Sequence, residues 1–101
     1  MFIFANISVL GDVTPTDDLS DVHEINRPCG VVAIRAGEDR CWVNNRLVNS
    51  TSLIFANLQT VDKSAKCAIA TEQTDGSFVL RLDQSAESDV RIAFLVINPV
   101  Q

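Results

Sequence analysis

The sequence predicts an all-β protein, an antiparallel β-sandwich preceded by an extended N-terminal arm. Three observations carry this. From residue 30 onward, almost every segment is a run of four to nine apolar and β-branched residues between turn residues. Residues 77–83 and 90–98 alternate apolar and polar or small residues with a period of two. No segment carries apolar residues at i, i+3, i+4 and i+7 over a helical length.

Taken in order, residues 1–10 (MFIFANISVL) are rich in aromatic and β-branched types and read as a strand or extended arm, which Gly11 and Asp12 end. The start at Met1 is read as a native N-terminus. Residues 14–28 hold Pro15, Asp17, Asp18, Asp21, Glu24 and Pro28 and predict a long polar loop, with room for one short helical turn capped by Asp17 or Asp18. Residues 31–36 read as a strand, Gly37-Glu38-Asp39 as a turn and residues 40–44 as a second strand, together a hairpin. Asn44-Asn45 signals another turn, Leu47-Val48 a brief extended piece, and residues 52–60 the next strand.

Residues 66–71 set Cys67, Ile69 and Thr71 against Ala68 and Ala70. Asp75-Gly76 is a hairpin signal, because Gly supplies positive φ at no steric cost. In residues 77–83, Phe78, Leu80 and Leu82 share one face. In residues 90–98, Val90, Ile92, Phe94 and Val96 share one face and Ala93, Leu95 and Ile97 the other. Short strands at this spacing indicate a sandwich or barrel, here a jelly-roll-like sandwich with antiparallel pairing. The chain divides into an arm and polar loop, residues 1–29, and a β-sandwich domain, residues 30–101.

Two details stand apart. Ile3-Phe4-Ala5-Asn6 recurs as Ile54-Phe55-Ala56-Asn57, each followed by an apolar residue, Ile7 and Leu58. Two copies fall short of a repeat architecture, and the echo reads as coincidence between two strands of similar composition. The last strand is apolar on both faces from Ile92 to Ile97 and therefore expects cover on both sides. The arm, the acidic loop or a neighbouring subunit could supply the second cover.

Charge excludes several functions. Thirteen acidic residues outweigh eight basic ones, the net charge is −5, and Lys63 and Lys66 are the only lysines. Without a basic cluster, neither nucleic acid nor an anionic membrane surface is an expected partner. No apolar run reaches the ~18–20 residues of a membrane span, and residues 1–10 lack the basic region and cleavage site of a signal peptide. Cys29, Cys41 and Cys67 are odd in number and irregular in spacing, which reads as buried free thiols in a reducing cytoplasm. The two Asn-x-Ser/Thr sequons, at Asn6 and Asn49, then read as chance.

Catalytic and metal chemistry find little footing. His23, the one histidine, sits among Asp17, Asp18, Asp21 and Glu24 without zinc or calcium-loop spacing, so the expectation is a solvated acidic loop with one exposed histidine. Cys29 lies six residues from His23 but in no cysteine-hydrolase context. No nucleophile elbow, dinucleotide fingerprint or phosphate loop is present. The expectation is a protein that is not an enzyme and holds no cofactor or metal. Trp42 reads as a core or interface residue.

The order of elements from residue 30 to 98 resembles a family of small β-sandwich subunits of bacteriophage virions. The residues that carry the resemblance are Cys41-Trp42-Val43-Asn44-Asn45 with Leu47-Val48, then residues 52–60 (SLIFANLQT), Asp75-Gly76-Ser77-Phe78-Val79-Leu80-Arg81-Leu82, and Ile92-Ala93-Phe94-Leu95-Val96-Ile97-Asn98. These are strand-and-turn patterns over about two thirds of the chain, and the first 29 residues match nothing in the family. Such subunits trimerise and act as capsid decoration (cement) proteins or head fibres, and related domains sit at tail-fibre tips. The resemblance implies a homotrimer, made in the host cytoplasm, that binds the major capsid protein on the virion surface and stabilises the shell. Phe94, Leu95 and Ile97 are the interface candidates, and Phe2, Ile3, Phe4, Ile7, Val9 and Leu10 the capsid-contact candidates. The alternative is a tail-fibre or receptor-binding module that recognises a host glycan or protein.

Overall fold

Alternating side chains define seven strands among the described residues: β1 (Val22–Glu24), β2 (Cys29–Ile34), β3 (Arg40–Asn44), β4 (Leu53–Leu58), β5 (Ala68–Thr74), β6 (Ser77–Leu82) and β7 (Val90–Ile97). The structure is a computed structural model that describes residues 21–99, among which there is no helix. A four-stranded sheet has the order β1-β3-β6-β5 and a three-stranded sheet the order β2-β7-β4. The two form a β-sandwich-like pair of layers. Pairing is antiparallel except between β1 and β3, which run parallel with Val22, His23 and Glu24 opposite Trp42, Val43 and Asn44.

The inward faces follow the period-two reading. Phe78, Leu80 and Leu82 of β6 meet Val90, Ile92, Phe94 and Val96 of β7 in one buried cluster with Val32, Ile34, Cys41 and Val43. Phe78 and Phe94 join the layers edge to face, with ring centroids 5.3 Å apart and planes at 71°, the geometry that sets positive ring edge against negative face. Burial raises the Cys41 thiol to about 12, with the Asp21 charge adding to the shift, so this thiol stays protonated and serves as packing.

The connections differ from the expectation. The turn after β2 forms as the sequence indicates, with Glu38 N–H donating to Arg35 O at 3.0 Å and Gly37 at φ 90°. It does not make a hairpin, because β2 pairs with β7 in the smaller sheet and β3 with β6 in the larger. The reason is burial: Val32 and Ile34 face Cys41 and Val43 across the core, and one sheet would leave one apolar face in water. Backbone bonds hold the arch to the β6–β7 loop, from Gly37 N–H to Ala86 O and from Ala86 N–H to Glu38 O. The one in-sheet turn among the described residues is β5–β6, around Asp75-Gly76. There only Gly76 takes positive φ, 89°, so the turn is not the type I′ form, which needs positive φ at both central residues. A bulge between Thr71 and Thr74 places Glu72 at φ 51°.

Two further expectations are corrected. The polar stretch before residue 30 carries strand β1 where only loop was expected, since Trp42 N–H reaches Asp21 O and Ile25 N–H reaches Asn44 O, while the helical turn expected at Asp17 or Asp18 lies outside the described residues. Leu47 lies in a turn instead of an extended piece. There the buried Asn45 amide donates to Arg27 O at 2.7 Å and accepts from Leu47 N–H at 2.9 Å, which joins the β3–β4 link to the β1–β2 link. Together, antiparallel pairs nest as β2 with β7 around β3 with β6, and β4 and β5 lie side by side at the closing edge.

Gly30 opposes Phe94 in the β2–β7 ladder. A Cβ there would stand 2.9 Å from two atoms of the Phe94 ring and 3.2 Å from Ile25, and the ring is pinned between the sheets. Gly30→Ala is expected to destabilise the domain by about 1–3 kcal/mol, read as a lower urea midpoint at an unchanged slope.

Candidate functional site

Strand alternation aims residues 53, 55 and 57 of β4 and 93, 95 and 97 of β7 away from the core. The ladder sets Leu53 opposite Ile97 and Phe55 opposite Leu95, and Leu95 in turn opposite Cys29 of β2. An antiparallel sheet with one face in water normally alternates polar residues outward. Here the outward face is apolar across all three strands except at one end, where Asn57 and Arg91 lie. Phe55 is 58% exposed, Leu53 49% and Ile97 42%. A shallow groove of about 300 Å³ runs between Cys29, Phe55, Ala93 and Leu95. A contiguous apolar face of this kind is a candidate interaction surface.

A second groove, of about 360 Å³, lies on the other side of β4, between residues 56–62 and 65–68. Its floor is shaped by Asp62, which is buried. The Asp62 carboxylate accepts from Ser64 N–H (3.0 Å), Ala65 N–H (2.9 Å), Glu87 N–H (3.1 Å), Ser88 N–H (3.0 Å) and Ser88 Oγ (2.8 Å). These donors, the Ala65 and Glu87 amides foremost, hold the acid far below the usual carboxylate range. Asp83 plays a parallel role, accepting from Lys66 and Cys67 N–H, and its acid is likewise lowered, chiefly by the Lys66 amide. Lys66 Nζ folds back onto Asp62 O at 2.8 Å.

The larger sheet's outer face holds Trp42, 42% exposed, between Val22 and Val79 in register, so Trp42 is a surface residue and not a core one. Asp39 is lowered first by its hydrogen bond from Arg40 Nε, at 3.1 Å. That pair is a solvated turn.

Of the interface candidates, Leu95 and Ile97 lie on the apolar outer face, whereas Phe94 points into the core and is 3% exposed. The capsid-contact candidates Phe2, Ile3, Phe4, Ile7, Val9 and Leu10 lie outside the described residues, as do Asp17 and Asp18. His23 is not exposed. It sits on β1 opposite Val43, 5% accessible, with Nε2 lacking a hydrogen-bond partner among the described residues. No group of three His, Cys, Asp or Glu side chains among the described residues could hold a metal ion, and no described helix is long and apolar enough to cross a membrane. Sequence reasoning missed Leu53 and Phe55. The signal was present, because residues 53–56 are apolar at both parities, like the last strand. No protein-family model, curated protein or solved structure matches the chain.

The Asp62 linkage has a sign. An acid whose folded pKa is depressed contributes stability that is complete above its unfolded pKa, about 4, and is lost as pH falls toward the lower folded value. Thermal midpoints measured from pH 7 down to 2 should therefore fall below about pH 4. In Asp62→Asn the midpoint at pH 7 should drop, because an amide NH₂ then faces backbone donors, and the acid limb should be shallower. Asp39 and Asp83 supply the slope that remains.

Proposed function

We propose that this protein is a non-enzymatic structural subunit that assembles with copies of itself through the outer face of its three-stranded sheet. In the setting that the sequence resemblance suggests, it is a homotrimeric decoration or cement subunit on the surface of a bacteriophage capsid. The observation that carries the reading is the apolar row of Leu53, Phe55 and Ile97, all exposed, with the half-buried Leu95 among them, on a chain of net charge −5. A face of that composition supplies the apolar centre of a subunit interface, and the charged remainder supplies solubility. Stabilisation of a shell would then follow by mass action, since anything that binds the assembled form alone raises its stability.

A jelly-roll-like winding is part of the proposal. Rolling a long two-stranded ribbon pairs second with seventh strand, third with sixth and fourth with fifth. The β2–β7 and β3–β6 ladders and the adjoining β4 and β5 support that pattern, which is common in viral capsid domains. A receptor-binding module is the second reading, favoured by the exposed Trp42, since an aromatic ring on a flat sheet face suits a sugar ring.

Light scattering near micromolar concentration is expected to give three times the chain mass. Phe55→Asp and Leu95→Asp should each weaken assembly by about 2 kcal/mol, roughly 30-fold in the dissociation constant. Their unfolding curves should stay near wild type because both side chains face outward. A wild-type monomer at every concentration would sink the assembly reading. Trimers that fail to sediment with capsids would sink the decoration role alone. Quenching of Trp42 fluorescence by a host-surface glycan would shift the weight to the second reading.

A further inference from the structure

We infer that the open end of the β4 edge accepts residues 2–10 of a second copy of this chain as an added strand. The inference rests on the assembly reading and names the contact that would fasten it.

β4 ends its sheet. It pairs with β7 on one side, and on the other it runs beside β5 with no ladder joining them among the described residues. One end of this seam is closed, because Gln73 Nε2 donates to Asn49 O and Ser52 O at 2.7 Å each. The other end opens into the groove of about 360 Å³, walled by Ala56, Leu58, Ala65 and Ala68. Ala56, Asn57 and Gln59 border this groove and the outer groove as well, so the strand is open on both faces. Edge strands are normally blunted by a charge, a proline or a bulge. β4, Leu-Ile-Phe-Ala-Asn-Leu, has no charge and no proline, and its register with β7 is unbroken. Strand addition requires such an edge, with unpaired backbone groups for affinity and alternating pockets for side chains.

The chain contains a segment that fits. Ile3-Phe4-Ala5-Asn6-Ile7 repeats the pattern of Ile54-Phe55-Ala56-Asn57-Leu58. β4 turns Ile54, Ala56 and Leu58 toward the core and Leu53, Phe55 and Asn57 outward. A strand of the same pattern beside it would turn Ile3, Ala5 and Ile7 into the inner groove, and Phe4 and Asn6 onto the outer face next to Phe55. Both apolar surfaces would then be continued. The echo therefore has a physical use whether or not the two segments share an origin.

Twenty residues precede Asp21, and at about 3.3 Å each they span up to about 66 Å when extended. Asp21 adjoins β1, at the opposite end of the larger sheet from β5 and the seam. Residues 11–20, with Gly11, Pro15 and three aspartates, have the composition of a solvated connection. Exchange of an identical element between copies is a low-cost route to assembly, and it brings the donor copy beside the apolar outer face.

Hydrogen exchange of the full-length protein tests this. Amides of residues 53–60 are compared at dilute and concentrated protein, in wild type and in the Ile3→Asp/Ile7→Asp variant, with β6 and β7 amides in the same sample reporting the fold. The expected result is exchange at β4 about tenfold or more slower in the assembled wild type than in the dilute protein, and fast exchange in the variant at every concentration. Equal protection in dilute wild type would mean that the chain covers its own edge, and would overturn the inference. Protection that survives in the variant would overturn it too. A variant that assembles through the outer face with unchanged β4 exchange fails this inference alone. A wild type that never assembles fails both readings. Should the double variant not fold, Ile3→Asp is read by the same criteria.

Discussion

Asp62 lies in the β4–β5 link, and all five donors to its carboxylate come from two loops, residues 64–65 of its own and residues 87–88 of the β6–β7 link. Those loops are distant in sequence and adjacent in space. Without the carboxylate, four backbone N–H groups would lack acceptors at the end of the sandwich where two crossings meet, and an unpaired buried amide is costly. The same solution recurs around the rim. Asp83 takes two amides of the β4–β5 link, Asp89 takes Ala36 N–H of the β2–β3 arch, and Asn45 and Asn49 brace the β3–β4 link. Short acidic and amide side chains bond well to nearby backbone, and this fold uses them as fasteners between loops. Part of the acidic excess thus has a structural role.

The need for fasteners follows from the winding. β5–β6 is the single sequence-adjacent pair sharing a ladder among the described residues, and every other link passes from one sheet to the other. A crossing link cannot hand its backbone groups to a neighbouring strand. It must find side-chain acceptors, as at Asp62, or backbone of another loop, as where Gly37 meets Ala86. Such a topology is rich in contacts distant in sequence, which slows folding relative to hairpin-built sheets. In return, both sheets bury their β-branched faces in one layer.

What the sequence made legible was whatever depends on local alternation. β6 and β7 present their inward residues as read, because both strands lie between apolar neighbours and period two is enough to orient them. β3 was found at its observed bounds for the same reason. Connectivity was not legible. Gly37 specifies a turn, but a turn does not say which sheet the next strand joins, and the choice was made by the distant partners β6 and β7. β1 was missed because a three-residue strand of Val, His and Glu has no period to detect. His23 was misread with it, since its neighbours in sequence are acidic while its partner in register is Val43. Asp62 gave no warning beyond a turn-like Asp-Lys-Ser, because the Glu87 and Ser88 donors lie more than twenty residues away. Of the apolar outer face, Leu95 and Ile97 were visible in the last strand, and Leu53 and Phe55 were overlooked although their strand shows the same double parity.

The same strand logic explains why the apolar face and the open edge occur together at β4. A strand in mid-sheet is covered by neighbours on both edges and needs one apolar face. Among the described residues β4 shares a ladder with one neighbour, β7, and its inward residues Ile54, Ala56 and Leu58 are only partly buried. Polar residues outward would have sufficed for folding. Phe55 and Leu53 instead bring roughly half their surface to water, an arrangement that gains nothing from the core and invites association. The packing of the described residues does not account for side chains that are apolar at both parities of this edge strand. Burial by a partner, as proposed, would account for them, since one added strand would finish the inner groove and the outer face in a single step.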